Sequence, residues 1–184
     1  MKQVVKDALW ACAAKEHENK ALEGLFFNWD KGVAVASDST LLVTVDIPVG
    51  EDSNRLLSRD EKFLPHVYPN ISGVFMTAPD KWTRFHVSEL IEWCNLVPAS
   101  PDEVGKRIGI TIEGLCFYPP RIRKALKVFE ANGERTMLVH VHKDRIWLRG
   151  ENTNAVVMAL LDKTGKAHCE QYTIKQLADM GELM

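Results

Sequence analysis

A helix followed by three strands is read twice along this chain, once in residues 1–50 and again in 108–161, and that repetition constrains the fold more than any single motif. In the first copy a helix spans about 2–16, with Val4, Val5, Ala8, Leu9 and Cys12 on one apolar arc and Lys2 and Lys6 outside it, beside Trp10. Strand-like runs follow at Leu22–Trp29, Val33–Ser37 and Leu41–Ile47, the first two joined by the turn Asp30-Lys31-Gly32 and the last closed by Pro48 and Gly50. In the second copy Pro119-Pro120 opens a helix to about Ala131, capped by Asn132-Gly133. Strands at Arg135–His142, Arg145–Arg149 and Ala155–Leu161 come after it, and a strand over Ile108–Phe117, kinked at Gly114, comes before. Sequential strands on short turns pair antiparallel, and both helices are expected on one face of the resulting sheet, giving an α+β fold.

The spacer, 51–107, is less regular. Glu51–Lys62 reads as a polar loop, Val67–Met76 as a turn and a strand, and Val87–Leu96 as a short helix with Leu90, Ile91 and Cys94 at apolar spacing. Ser100-Pro101-Asp102-Glu103 has the composition of a helix start, which also accounts for its paired carboxylates. A C-terminal helix is expected around Ile174–Met180, within a tail of 162–184.

Composition narrows the class of protein. The 184 residues suit one domain, and 46% hydrophobic with 26% charged residues is ordinary for a globular chain. A net charge of -2 gives no global pull toward polyanions, so nucleic-acid binding needs a local basic patch. Cys12, Cys94, Cys116 and Cys169 form no CxxC pair and read as free thiols in a reducing compartment. The apolar stretch after Lys2 and Lys6 is too short for a secretory signal, and no run approaches the ~18 residues of a membrane span. The expected location is the cytoplasm, with no membrane partner.

The sharpest local signal is on the second helix. Ile122, Ala125, Leu126 and Phe129 form an apolar stripe, while Arg121, Arg123, Lys124 and Lys127 occupy the rest of the wheel with Glu130 as the sole acid. Four cations against one anion suit a surface facing phosphates, although a solvated basic face has the same composition. Lys2, Lys6 and Lys15 on the first helix add weaker support. His140 and His142 alternate with valines, so both project from one strand face and are weak metal candidates, with no third ligand placed by sequence. His168-Cys169, adjacent in sequence, diverge. No P-loop, G-x-S-x-G, G-x-G-x-x-G or H-E-x-x-H occurs, and no catalytic residue or cofactor is assigned.

Several segments resemble the bacterial replicative sliding clamp, the β subunit of the replicative polymerase. Leu22-Glu23-Gly24-Leu25-Phe26 is similar to its L-x-G-V-L strand, and Ala36-Ser37-Asp38-Ser39-Thr40-Leu41-Leu42 to its A-T-D-G-H-R-L segment. Phe117-Tyr118-Pro119-Pro120-Arg121-Ile122-Arg123-Lys124-Ala125-Leu126 resembles the F-N-x-x-Y-L-x-x-A-L helix, Ala155-Val156-Val157-Met158-Ala159-Leu160 the closing strand, and Tyr68-Pro69-Asn70-Ile71 the Y-P-D-Y segment. The Tyr-Pro segment precedes the second helix here and follows it in the family. Ser39-Thr40-Leu41 replaces the Gly-His-Arg that helps contact DNA, and Ala159 replaces the closing strand's Pro. Gln176-Leu177-Ala178-Asp179-Met180 loosely resembles the peptides by which partners dock on such clamps.

The resemblance implies a clamp fold of two βαβββ-type halves, an antiparallel sheet with two helices on one face, the helices turned toward double-stranded DNA and the sheet outward. Family chains carry three such domains and a ring needs six, so this chain, with length for one, implies self-association. The reading is a non-enzymatic, clamp-like protein of a phage or mobile element, with DNA-backbone candidates Arg121, Arg123, Lys124, Lys127, Lys2 and Lys6 and with replication proteins as partners. Two alternatives stay open: a protein-interaction module of the same fold without DNA, and a metal protein or enzyme centred on His140 and His142.

Overall fold

A computed structural model describes residues 1–50, 52–71, 73–74, 81–97, 108–160, 170–173 and 176. The first copy comprises α1 (Gln3–Cys12), a 3-10 turn (Lys20–Glu23), β1 (Leu25–Asn28), β2 (Val33–Ser37) and β3 (Leu41–Asp46). The spacer supplies β4 (Arg55–Leu57), β5 (Thr83–His86) and α2 (Val87–Leu96). Then come β6 (Ile108–Ile112), β7 (Leu115–Phe117), α3 (Pro119–Ala131), β8 (Thr136–His142), β9 (Arg145–Arg149), β10 (Thr153–Met158) and β11 (Glu170–Thr173).

Eight strands form one antiparallel sheet in the order β4-β1-β2-β3-β10-β9-β8-β5. The two copies meet where β3 pairs with β10, Val43 opposite Ala155, so each copy's third strand lies at the centre and each copy's first strand lies outward. The arrangement is that of a pseudo-twofold axis between β3 and β10. The spacer is part of this sheet: β4 extends the first copy and β5 the second. A smaller sheet, β11-β6-β7, includes a parallel pair between β11 and β6, which short turns alone do not produce.

Alternation along each strand separates the two faces. Ala34 and Ala36 of β2, Leu41, Val43 and Val45 of β3, Ile146 and Leu148 of β9, and Ala155 and Val157 of β10 join one core with the helices. Against them α1 sets Val5 and Leu9, α2 sets Val87 and Leu90, and α3 sets Ile122, Ala125, Leu126 and Phe129, all with at most 2% exposure. The apolar stripe read on the second helix is therefore its buried face. A third helix joins the two expected: α3 contacts α1 on one side and α2 on the other, and Val128 is buried as well. On the opposite face, Leu22, Val35, Leu42, Leu56 and Tyr68 form a second cluster under the first copy, with Tyr68 stacked on Phe26 at 5.0 Å.

Several local expectations shift. On α1, Val4 is exposed and Trp10 is buried, because the chain near Arg59 folds over the indole: the guanidinium lies 5.7 Å from the ring and donates to the Trp10 carbonyl. The first run starts as a 3-10 turn capped by Asn19 and becomes strand only at Leu25. The strand expected across Val67–Met76 is absent among its described residues, where Tyr68, Ile71 and Val74 join the cluster on the sheet and Val74 N–H donates to the Ile71 carbonyl in a turn. Gly114 makes a hairpin rather than a kink, since Glu113 and Gly114 both take positive φ and reverse β6 into β7. Cys12 and Cys94 are free and buried, but Cys116 is disulfide-bonded, which corrects the expectation of free thiols throughout. The Ser100 helix start and His168-Cys169 lie outside the described residues, as does the C-terminal helix apart from Gln176.

Candidate nucleic-acid interface

Position on α3 sets which cations reach solvent. The helix starts with Pro119 and Pro120, whose missing N–H groups cost nothing in the first turn. With its stripe pressed on the sheet and both flanks against helices, the outward side carries Arg123, Lys127 and Glu130, all exposed, with Arg121 and Lys124 half-buried at its margins. α1 lies alongside closely enough for the Cys12 thiol to approach the Lys124 carbonyl at 3.6 Å. The helices of the two copies thus lie side by side on one face of the sheet.

Much of that charge is already engaged. Lys6 pairs with Glu61 across the loop that covers α1. Lys124 lies 3.8 Å from Asp38, whose other carboxylate oxygen accepts from the Thr40 and Leu41 backbone N–H groups at 3.0 and 2.9 Å and closes the β2–β3 turn. Arg123 donates to Asn95 of α2 at 3.0 Å, and the Arg121 guanidinium lies 5.7 Å from the Tyr118 ring. Lys2 and Lys127 are exposed. The neighbouring α2 presents Glu89 and Glu92 and has no Lys or Arg, so it lowers the potential at the α3 face. These acids lie in the spacer, and only the packing of α2 on α3 makes them relevant.

The other site candidates lie across the sheet. His140 and His142 do share a face, their rings 6.0 Å apart and nearly parallel, and His140 Nδ1 is 2.9 Å from the Lys81 carbonyl. Among the described residues no group of three His, Cys, Asp or Glu converges there or elsewhere. The histidines instead pack with tryptophans: Trp82 and Trp147 lie 5.8 and 6.0 Å from the His140 ring. Sequence reading missed both indoles, though the Lys143-Asp144 turn sets His140 opposite Trp147 once β8 and β9 pair.

Against known proteins, no family model matches this chain and no curated protein matches it. Solved structures do. The chain is similar to the β chain of DNA polymerase III from Streptococcus pneumoniae, with a TM-score of 0.65 and 11% identity over 88% of this chain. The β subunit of DNA polymerase III from Thermotoga maritima gives 0.61 and 14% over 85%, and that from Pseudomonas aeruginosa 0.63 and 12% over 84%. The fold is that of the sliding clamps. The match spans 63%, 62% and 63% of those three chains, less than two thirds of each.

Proposed function

We propose that the chain is a non-enzymatic, clamp-like protein of the cytoplasm that associates with double-stranded DNA through the outward side of α3, assisted by α1, and acts alongside replication proteins. The observation that carries this is the coincidence of a sliding-clamp fold with exposed Arg123 and Lys127 on the central helix of the helical face. Phosphate contacts from such side chains are independent of base sequence. Among the described residues β5 has no strand partner on its outer side, whereas β4 meets Phe63 through a bridge to Leu57. The β5 edge is the surface available for joining a second copy.

The test is fluorescence anisotropy of a short labelled duplex as salt is varied, with size measured in parallel by light scattering. If three or four of Arg121, Arg123, Lys124 and Lys127 touch phosphates, affinity falls about 40- to 150-fold between 50 mM and 200 mM salt, from a slope of roughly -0.9 per contact. Changing all four to Ala removes most of that dependence, leaving only what α1 contributes. A wild-type chain without salt-dependent duplex binding overturns the DNA reading. A strict monomer at high concentration removes ring closure.

The internal engagement of Lys6, Arg123 and Lys124, with the acids of α2 beside them, favours a second reading: an interaction module of the same fold that leaves DNA alone. On that reading the four-fold Ala variant retains all partner binding.

A further inference from the structure

The outer face of the sheet differs between the two copies. Under β1–β3 it is covered by the chain's own Leu22, Leu56 and Tyr68. Over β8–β10 the corresponding rows are mostly polar and aromatic. Strand register places Arg84, Leu138, Arg149, Asn154 and Thr44 side by side in one row, and His140, Trp147 and Val156 in the next, with the Trp82 ring against His140.

A cavity of about 340 Å³ opens on this face, with Trp82, Trp147, Arg149, Asn154 and Thr44 in its wall. Trp147 is only 7% exposed, yet its indole N–H has no acceptor among the described residues. A buried donor left unpaired costs free energy that an incoming oxygen would recover. A neighbouring cavity of about 320 Å³ shares Arg149, Gly150 and Glu151 with the first and adds Arg84 and Arg135. Arg84, Arg135 and Arg149 are exposed and form no ion pair among the described residues, in contrast to Arg145, which is held by Asp144 at 2.8 Å. Glu134 is already committed, accepting from the Glu151 and Asn152 backbone N–H groups. Asp46 and Glu151 also line the first cavity.

We propose that this outer face is a binding site for single-stranded nucleic acid, with bases entering the Trp82–Trp147 cavity and phosphates lying over Arg84, Arg135 and Arg149. Aromatic platforms beside unpaired cations are the combination by which such strands are held. A base carbonyl or phosphate oxygen supplies the acceptor that Trp147 lacks, and Asp46 and Asn154 face amino and carbonyl edges of a base. A duplex does not fit this chemistry, because its bases are stacked within. The three unpaired guanidiniums favour a polyanion over a peptide. None of Arg121, Arg123, Lys124 and Lys127 lines either cavity, so the site stands or falls independently of the duplex reading.

The test is titration of the full chain with a labelled oligothymidylate, read by anisotropy and by quenching of intrinsic tryptophan fluorescence. Trp82→Ala is expected to weaken binding about 5- to 100-fold and Trp82→Phe to restore most of it, since stacking tolerates one ring for another. Arg84→Ala, Arg135→Ala and Arg149→Ala combined should lower the salt slope by about 2, at roughly 0.7 per phosphate on a single strand. The four-fold Ala variant of α3 should bind oligothymidylate like the wild type. The proposal is overturned by absence of oligonucleotide binding, by unchanged affinity in both outer-face variants, or by loss confined to the α3 variant.

Discussion

Truncating Phe129 to Ala tests whether α3 is oriented as described, since the same rotation that buries Phe129 turns Lys127 outward. Phe129 is 0% exposed, within the contact of α3 with the sheet, and its neighbours Ile122, Ala125 and Leu126 are equally buried. Losing the ring removes roughly 100 Å² of buried apolar surface, worth about 2.5 kcal/mol at 25 cal/mol per Å². A cavity between a helix and a sheet collapses only in part, which brings the expected cost to about 3–5 kcal/mol. That is a large fraction of the 5–15 kcal/mol typical of a whole domain, and it corresponds to a fall in Tm of about 6–20 °C for a chain of this size. Urea unfolding followed by circular dichroism measures it, with the midpoint falling and the slope unchanged if the folded and unfolded states keep their compactness. Lys127→Ala, on the outward side, is the control and should stay within about 0.5 kcal/mol of wild type. A Phe129→Ala loss below about 1 kcal/mol, or a larger loss for Lys127→Ala, refutes the orientation and with it the exposed basic face.

Two further outcomes follow from burial. Burial raises the Cys12 and Cys94 thiols from 9.0 to about 12, so at pH 8 a thiol reagent should label the native chain at least roughly a thousandfold more slowly than the unfolded chain at these two positions. Because the folded values are the higher ones, the stability they contribute is fully present below about pH 9 and is lost as pH rises toward about 12; a midpoint rising over that window contradicts the assignment. Gly24→Ala should destabilise by about 1–3 kcal/mol through overpacking, since a Cβ there meets the Leu57 carbonyl oxygen at 2.8 Å and Leu56 and Leu64 side chains at 2.7 and 2.9 Å. A thermal midpoint equal to that of the parent would show that the β1–β4 contact gives way freely.

What the sequence determined by itself is the local order. The 3.6-residue spacing of Ile122, Ala125, Leu126 and Phe129 fixed both the helix and its buried side, and Val87–Leu96 is a helix over the span its apolar spacing indicates. Alternation and short turns defined β8, β9 and β10 to within a few residues, and the repeated element order led to a sheet with helices on one face. Those properties depend on neighbours a few residues apart. Tertiary structure alone decided that β3 pairs with β10, that β4 and β5 of the spacer complete the sheet, and that α2 brings its acids beside Arg123, because each joins residues far apart in sequence. The outer face was legible only in part: alternation showed that His140 and His142 share a side. Hairpin register then set Trp147 beside them, and sheet pairing with β5 brought Arg84 into the row of Arg149. A side chain's direction is written in its own strand, whereas its company depends on which strands the core brings together.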